Sequence, residues 1–188
     1  FLEQKNRLNI VNKKSALLVF SGGQDSTTCL AWALKKFSKV HAITFDYGQR
    51  HKIELKAAKK IAKLTNTPLK IYKLDLFKQL TENSLINHKT KITAGTKTNL
   101  PSTFVAGRNH IFLSIAAIYA NQLGIHNVIT GVCQTDYSGY PDCRDTFIKS
   151  LEKTISLAMD YKIKIHTPLM WLTKAESVKL MNKLKQLP

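Results

Sequence analysis

Short apolar runs alternate with amphipathic segments along most of this chain, and this alternation constrains the fold more than any other feature. The apolar runs at residues 16–20, 40–45, 69–74, 127–130 and 163–166 are predicted to be strands. Segments with a helical period are found at about residues 26–36, 53–64, 109–122 and 144–159, and a last helix is predicted to begin at Thr173, where Glu176 completes a capping box. Strands that alternate with helices form a parallel sheet. We therefore predict an α/β fold with a doubly wound, mostly parallel, twisted sheet and helices on both faces.

The chain is predicted to form one domain. Its 188 residues, 44% of them hydrophobic, suffice for one well-packed core and are few for two. Residues 1–15 are polar and lack periodicity, which predicts a tail or an edge element and leaves 16–188 as the domain. In the second predicted helix, Ile53, Ala57, Ile61 and Leu64 fall on one face.

Cysteine usage and hydropathy bear on the location of the protein. The longest apolar run, residues 111–120, contains Ser114 and is too short to cross a bilayer, so no membrane partner is expected. The cysteines, Cys29, Cys133 and Cys143, are odd in number and widely spaced. This argues against a disulfide framework and for a reducing compartment, so a cytoplasmic location is expected.

The net charge of +17 invites a nucleic-acid interpretation, but its distribution weakens that interpretation. Lysines are scattered through the amphipathic segments, where a solvated helix face explains them, and direct nucleic-acid binding is not expected.

Arginine is much scarcer than lysine in this chain. Only four of the 29 basic residues are Arg: Arg7, Arg50, Arg108 and Arg144. In a chain that otherwise favours Lys, these positions are predicted to need the planar guanidinium group, which forms two parallel hydrogen bonds to a carboxylate or phosphate.

The segment Ser21-Gly22-Gly23-Gln24-Asp25-Ser26 lies between the first predicted strand and the first predicted helix. Two glycines let the backbone approach a ligand, and hydroxyl groups stand beside the free N–H groups of a helix N-terminus, so the segment predicts a phosphate site. The Lys of a Walker A loop is absent, and Asp25 stands instead, which can hold a metal ion bound to a phosphate. The predicted nucleotide-binding residues are Phe20, Ser21, Gly22, Gly23, Gln24, Asp25, Ser26, Thr27, Thr28, Cys29 and Leu30, together with Asp46.

Three later loops also follow strands or open helices: residues 46–51, 104–109 and 131–144. In a doubly wound sheet the ligand lies beyond the carboxyl ends of the strands, so these loops are expected to share one rim with the phosphate loop. Arg108 is predicted to begin a helix, where a cation opposes the macrodipole unless an anion offsets both. The residues expected to converge on one cleft are Ser21, Asp25, Asp46, Arg108 and Asp136.

Five segments occur in order, namely FSGGQDSTTCL, FDYGQRH, FVAGRN, GVCQTDYSGYPDCR and TPLMW. Together they resemble the QueC family of PP-loop ATP pyrophosphatases over most of residues 16–172. The resemblance implies an ATP-dependent ligase of queuosine biosynthesis. Such a ligase adenylates 7-carboxy-7-deazaguanine, forms an amide with ammonia, and converts the amide to 7-cyano-7-deazaguanine after a second activation. It also implies ATP and Mg²⁺ as cofactors.

This chemistry suggests a role for each candidate residue. The catalytic candidates are Ser21, Asp25 through Mg²⁺ and phosphate, Ser26 and Arg108, which would stabilise the departing pyrophosphate. The candidates for binding the deazapurine and its carboxylate are Tyr47, Arg50, Asn109, Asp136, Tyr137, Tyr140, Asp142 and Arg144. For Asn109 a simple N-cap is an equal alternative. The expected partners are the small deazapurine and ammonia, and a homodimer is left open.

Two features depart from the family pattern. Ala106 stands where the family has Pro. Relatives continue past the last helix into a tail whose four cysteines bind zinc, whereas this sequence runs from Phe1 to Pro188, so we expect a fragment without those zinc ligands. The three cysteines present lack CxxC spacing and are not expected to replace them. Two alternatives stay open: a PP-loop tRNA-modifying enzyme, and a catalytically inactive nucleotide- or RNA-binding fragment.

Overall fold

A computed structural model describes residues 15–48, 52–75, 104–135 and 140–185 of the chain. The strands are β1 (Ser15–Val19), β2 (Lys39–Asp46), β3 (Leu69–Lys73), β4 (Asn127–Ile129) and β5 (Lys164–His166). The helices are α1 (Gln24–Lys36), α2 (Lys52–Leu64), α3 (Arg108–Gln122), α4 (Asp145–Ala158) and α5 (Lys174–Leu184), with a 3-10 turn at Pro141–Cys143. Within these ranges, no helix has the length and apolar character needed to cross a membrane.

The five strands form one sheet in the order β3-β2-β1-β4-β5, and all neighbouring pairs are parallel. β1 lies at the centre, where Leu17 stands opposite His41 of β2 on one side and Val128 of β4 on the other. The chain therefore winds outward from β1 in one direction through β3 and then in the other through β5. This arrangement confirms the predicted doubly wound parallel sheet.

Each face of the sheet carries its own hydrophobic layer, because successive side chains of a strand point to opposite sides. Ala16 and Leu18 of β1 belong to a cluster that also contains Leu30 of α1 and Ala58 of α2. Leu17 belongs to the opposite cluster, with residues of α3 and α4. Helices therefore cover both faces, as the alternation of strands and helices predicts.

The buried face of α2 coincides only in part with its apolar face, on which Ile61 packs partly buried against the core. Ile53 is 74% exposed and Leu64 is 58% exposed, whereas Ala58 and Ala62 are buried at 0% and 4%. The helix packs through its small residues because its backbone comes very close to the loop after β1: a Cβ on Gly22 would lie 2.5 Å from the amide nitrogen of Ala58. A face of large side chains would not permit that approach.

The last helix begins as predicted. The Thr173 hydroxyl accepts a hydrogen bond from the Glu176 amide (3.3 Å), and a Glu176 carboxylate oxygen accepts one from the Thr173 amide (2.8 Å). These two bonds form a capping box, which satisfies two amides that the helix itself leaves without partners. The box fixes the start of α5, and therefore the position of Lys174, its first residue.

Candidate active site

A cavity of about 360 Å³ opens at the carboxyl ends of β1, β2 and β4. This is the point where the strand order reverses, at which doubly wound sheets bind ligands. Phe20 and Ser21 follow β1, Thr44 and Phe45 come from the end of β2, and Thr130 follows β4. The remaining walls are Val19, Asp25, Ser26, Tyr47, Glu54, Arg108, Asn109, Phe112, Gly131, Val132, Cys133, Tyr140 and Cys143.

The phosphate loop forms one wall of this cavity. Gly22 has a φ of 82°, a left-handed conformation that favours glycine. The Ser21 and Ser26 hydroxyls are 3.1 Å apart, and the Ser21 hydroxyl also accepts a hydrogen bond from the Gly23 amide (3.2 Å). α1 begins after Gly23, which is its N-cap and supplies no side chain to the first turn. The predicted cradle of glycines, hydroxyls and a helix N-terminus is therefore assembled at the cavity.

Only the first part of the predicted nucleotide-binding segment faces the cavity. Phe20, Ser21, Asp25 and Ser26 line it. The Thr27 hydroxyl donates back to the Gly23 carbonyl (2.8 Å), and the Thr28 hydroxyl donates to the Gln24 carbonyl (3.1 Å). Thr27 is 7% exposed and Thr28 is fully buried, so both hydroxyls serve the helix.

Cys29 and Leu30 are core residues, each with no exposed surface. Burial, and secondarily the nearby charge of Asp25, raises the pKa of the Cys29 thiol far above its ordinary value. Its sulfur donates weakly to the Thr130 carbonyl (3.8 Å). Cys29 therefore connects α1 to the end of β4 and is not a thiolate nucleophile.

Asp25 is paired with a residue that the sequence patterns do not indicate. One Asp25 carboxylate oxygen accepts a hydrogen bond from the Lys174 ammonium at 2.5 Å, across 149 positions of the chain. The pair is open to solvent, with 29% of the Asp25 side chain and 55% of the Lys174 side chain exposed. A second cavity, of about 210 Å³, lies beside this pair.

Arg108 lies in the main cavity among aromatic side chains. It is the first residue of α3 and follows Gly107, whose φ of 71° turns the chain. Its guanidinium carbon is 6.0 Å from the ring centre of Tyr140. Tyr47 packs against Phe112 with ring centres 5.3 Å apart, and Phe112 stacks on Phe45 at 4.4 Å. The wall that carries Arg108 is therefore flat and aromatic, with one fixed positive charge.

Tyr47 and Arg108 interact directly. Burial raises the pKa of the Tyr47 phenol, while the Arg108 charge and its hydrogen bond to Tyr47 oppose that rise, and the Glu54 charge adds to it. The phenol is thus held in its neutral form, in which its oxygen can accept from Arg108 while its ring packs on Phe112.

Asn109 and Asp142 join the start of α3 to the 3-10 turn. The buried Asp142 carboxylate accepts a hydrogen bond from the Asn109 amide (3.0 Å). The Asn109 side-chain amide donates to the Asp142 carbonyl and to the Cys143 sulfur, both at 3.4 Å. The N-cap of α3 is Gly107, so the N-cap alternative for Asn109 is wrong. Asn109 lines the cavity, whereas Asp142 supports it from behind.

The predicted convergence is realised in part. Ser21, Asp25 and Arg108 line one cavity. Asp46 is absent from its walls, and its carboxylate accepts from the Gly48 amide (3.3 Å), which closes the turn after β2. Arg144 is exposed at the N-cap of α4 and does not line the cavity either. Arg50, Asp136 and Tyr137 lie outside the described residues.

The structure adds residues that the motifs do not single out. Glu54, in the first turn of α2, lines the cavity, and so does Thr44, whose hydroxyl donates to the Phe20 carbonyl. Glu54 is an acidic residue in the helix that follows FDYGQRH, which is the only signal the sequence offers for it. Thr44 shares its strand with His41, so a polar residue in an apolar run does not by itself single it out.

Solved structures resemble this fold. The U34-tRNA thiolase NcsA from Methanococcus maripaludis matches with a TM-score of 0.55 and 19% identity, over 98% of this chain and 64% of that one. The NH3-dependent NAD synthetase from Campylobacter jejuni matches with a TM-score of 0.55 and 17% identity, over 97% of this chain and 69% of that one. At such low identity these similarities establish the fold alone.

Two sequence relatives are far more similar to this chain in sequence than these solved structures are. The chain is 55% identical over 172 residues to the 7-cyano-7-deazaguanine synthase from Shouchella clausii, covering 92% of this chain and 78% of the relative. It is 54% identical over 171 residues to the 7-cyano-7-deazaguanine synthase from Clostridium botulinum, covering 90% of this chain and 78% of the relative. The family model described as "Queuosine biosynthesis protein QueC" matches residues 15–188. The chain therefore belongs to the QueC family.

Proposed function

We propose that this protein is an ATP-dependent ligase of queuosine biosynthesis that converts 7-carboxy-7-deazaguanine and ammonia to 7-cyano-7-deazaguanine. Family membership supports the reaction. The structural observation that supports the proposal is the arrangement of the main cavity. The phosphate loop forms one wall, and an aromatic wall with Arg108 forms the other. A nucleotide and a flat acidic heterocycle can thus meet in one space.

The first step is adenylation of the substrate carboxylate. A carboxylate oxygen attacks the α-phosphorus of ATP, the bond to the bridging oxygen breaks, and pyrophosphate leaves. Ser21, Ser26 and the amides at the start of α1 would surround the pyrophosphate as its charge develops, and their convergence in the phosphate loop supports this role. Because these groups are already in place, little reorganisation accompanies the departure of pyrophosphate.

Ammonia then displaces AMP from the acyl group and loses a proton, which yields an amide. The amide oxygen then attacks the α-phosphorus of a second ATP, pyrophosphate leaves, and the nitrogen loses one proton. Loss of AMP and of the second N–H proton gives the nitrile. In both rounds the heterocycle must stay in place while ammonia or water competes for the activated carbon. Tyr47, Phe112 and Tyr140 offer flat faces for this purpose, and Arg108 offers a charge for the carboxylate or for AMP.

Asp25 is the residue that would hold Mg²⁺. Magnesium is commonly bound by one or two carboxylates together with substrate phosphates, and Asp25 stands alone as a carboxylate in the phosphate loop, so the donor set fits. When bound, the ion supplies positive charge to the phosphates. The described ranges hold no group of three His, Cys, Asp or Glu residues that could hold a metal ion.

The reaction can be tested with ATP, Mg²⁺, 7-carboxy-7-deazaguanine and ¹⁵N-ammonium. We expect two AMP for each nitrile, with the label in the nitrile nitrogen by mass spectrometry. Arg108→Met should lower kcat/KM about 100-fold or more, since it removes a preorganised charge from the site. Arg144→Met is the matched control outside the cavity walls and should change kcat/KM less. If the wild-type protein yields neither AMP nor nitrile, the proposed function is wrong.

A further inference from the structure

The phosphate loop lacks a cation of its own. Residues 20–30 contain neither Lys nor Arg, whereas a Walker A loop places a Lys beside the phosphates. Departing pyrophosphate carries several negative charges, which a site must neutralise if pyrophosphate is to leave readily. The structure brings Lys174 to this loop from the far end of the domain, with its ammonium 2.5 Å from an Asp25 carboxylate oxygen.

Lys174 also borders a space of its own. The second cavity, of about 210 Å³, shares Asp25 and Cys133 with the main cavity, so the two adjoin at the phosphate loop. Thr173, the N-cap of α5, and the buried Ser177 line it together with Lys174. The Thr173 hydroxyl donates to the Glu176 carboxylate (2.8 Å), so the Lys174 ammonium is the phosphate-binding group on this side. A volume of this size accommodates a phosphate group of the leaving pyrophosphate.

The position of Lys174 within α5 is unfavourable without an anion. It is the first residue after the N-cap, where a cation opposes the helix dipole. Asp25 offsets this cost. An exposed pair of this kind contributes little stability, because both groups are well solvated, so Lys174 can leave Asp25 at small cost when a more highly charged anion enters.

We propose that Lys174 binds the β- and γ-phosphates of ATP and the pyrophosphate formed from them, at the junction of the two cavities. In the structure its ammonium pairs with the Asp25 carboxylate. When ATP enters with Mg²⁺, the ammonium moves from Asp25 to the phosphate oxygens, and Asp25 is released for the metal ion. The inference rests on the proposed function, because it assigns a residue to the leaving group of that reaction.

The test compares binding of three probes by isothermal titration calorimetry: inorganic pyrophosphate with Mg²⁺, ATP with Mg²⁺, and AMP. Lys174→Met keeps most of the aliphatic stem and removes the charge. We expect it to weaken pyrophosphate and ATP binding about 10- to 100-fold, the usual effect of losing a charge-assisted hydrogen bond, with AMP binding changed by less than about twofold. Lys174→Arg should restore part of the affinity. Lys183→Met, at the other end of the same helix, is the matched control and should leave all three affinities unchanged.

The outcomes separate this inference from the proposed function. If wild-type protein forms AMP and nitrile but Lys174→Met binds pyrophosphate as wild type does, Lys174 is a structural partner of Asp25 only, and the inference is overturned. An equal loss for AMP and pyrophosphate overturns it too, because a misfolded site weakens every ligand; circular dichroism of each variant reveals such misfolding. If wild-type protein binds neither pyrophosphate nor ATP, the proposed function fails with it.

Discussion

Gly22 is the residue whose identity the fold restricts most narrowly. Its φ is 82°, and a Cβ at this position would lie 2.5 Å from the Ala58 amide nitrogen and 2.7 Å from the Glu54 carbonyl oxygen. Both atoms belong to the backbone of α2, which cannot move aside as a flexible side chain can. The glycine thus serves two purposes, since it permits the turn of the phosphate loop and lets α2 pack directly on that loop.

Gly22→Ala should therefore destabilise the protein by about 2–5 kcal/mol, the sum of the left-handed backbone strain and the overlap with α2. Gly107→Ala is the matched control, because its φ of 71° imposes similar strain while no atom lies within 4 Å of the added methyl group. Urea unfolding of both variants gives the comparison. If both variants lose the same free energy of unfolding, α2 can shift to accommodate the methyl group, and its contact with Gly22 does not restrict this position.

The site residues differ in how well the sequence predicts them. The contrast of an Arg at a helix start with a Lys-rich chain selects Arg108, which lines the cavity, but it also selects Arg144, which does not. Lys174 and Glu54 are not predictable, since a further Lys or Glu on an amphipathic helix has no local contrast. Their places beside the cavities arise from contacts between distant parts of the chain, such as the contact of Lys174 with Asp25 across 149 positions. No local pattern encodes such a contact.

At the scale of single elements, the first turn of α5 carries a local source of stability. Leu184 and Ser177 of this helix are buried and Leu180 packs partly buried against the core, and the capping box adds to these contacts. Thr173→Ala removes the hydroxyl that caps the Glu176 amide and should cost about 0.5–2 kcal/mol in the free energy of unfolding. Thr173→Ser retains the hydroxyl and should recover most of that loss in urea unfolding. A Ser variant as unstable as the Ala variant would show that the methyl group, and not the cap, carries the effect.

The sequence predicts which segments are helices and strands better than it predicts how these elements pack. The alternation of strands and helices gives the sheet, and the observed first helix begins only two residues before the predicted one. The buried face of α2 cannot be read from its sequence, because apolar periodicity includes the exposed Ile53 and Leu64 and carries no information about the close approach to Gly22. The close contact between two backbone segments determines which face of α2 is buried. The spacing of large apolar side chains in the sequence contains no information about that contact.

At the scale of the whole molecule, one histidine links stability to pH. His166 ends β5, bonds to the Asn127 side chain (2.9 Å), and packs beside Trp32 and Phe37 of the α1 region at 5.8 and 5.7 Å. Burial, and then the charges of Lys36 and Lys164, lowers the pKa of His166 below its ordinary value, although Glu152 opposes them. Protonation is therefore less favourable in the folded protein than in the unfolded chain.

The unfolded chain thus binds more protons than the folded protein between the two pKa values, so stability falls as the pH falls through that window. We expect the melting temperature of the wild-type protein to drop between about pH 8 and about pH 5. His166→Gln should drop less over the same range, with a remaining decrease partly from His41, whose pKa burial also lowers. Parallel curves for the two proteins would show that His166 is not the sensor.

The central place of β1 has a consequence for biosynthesis. β1 pairs with β2 soon after it in the chain, but its other neighbour, β4, aligns Asn127 with Ala16 across more than a hundred positions. On the ribosome one edge of β1 therefore stays unpaired until β4 has been made, and such long-range parallel pairing folds slowly. The wall of the main cavity that follows β4, including Thr130 and Gly131, is likewise missing until that part of the chain emerges. Until then the open edge of β1 can pair with other strands, and binding of a ligand to the complete cavity cannot yet stabilise the first half of the chain.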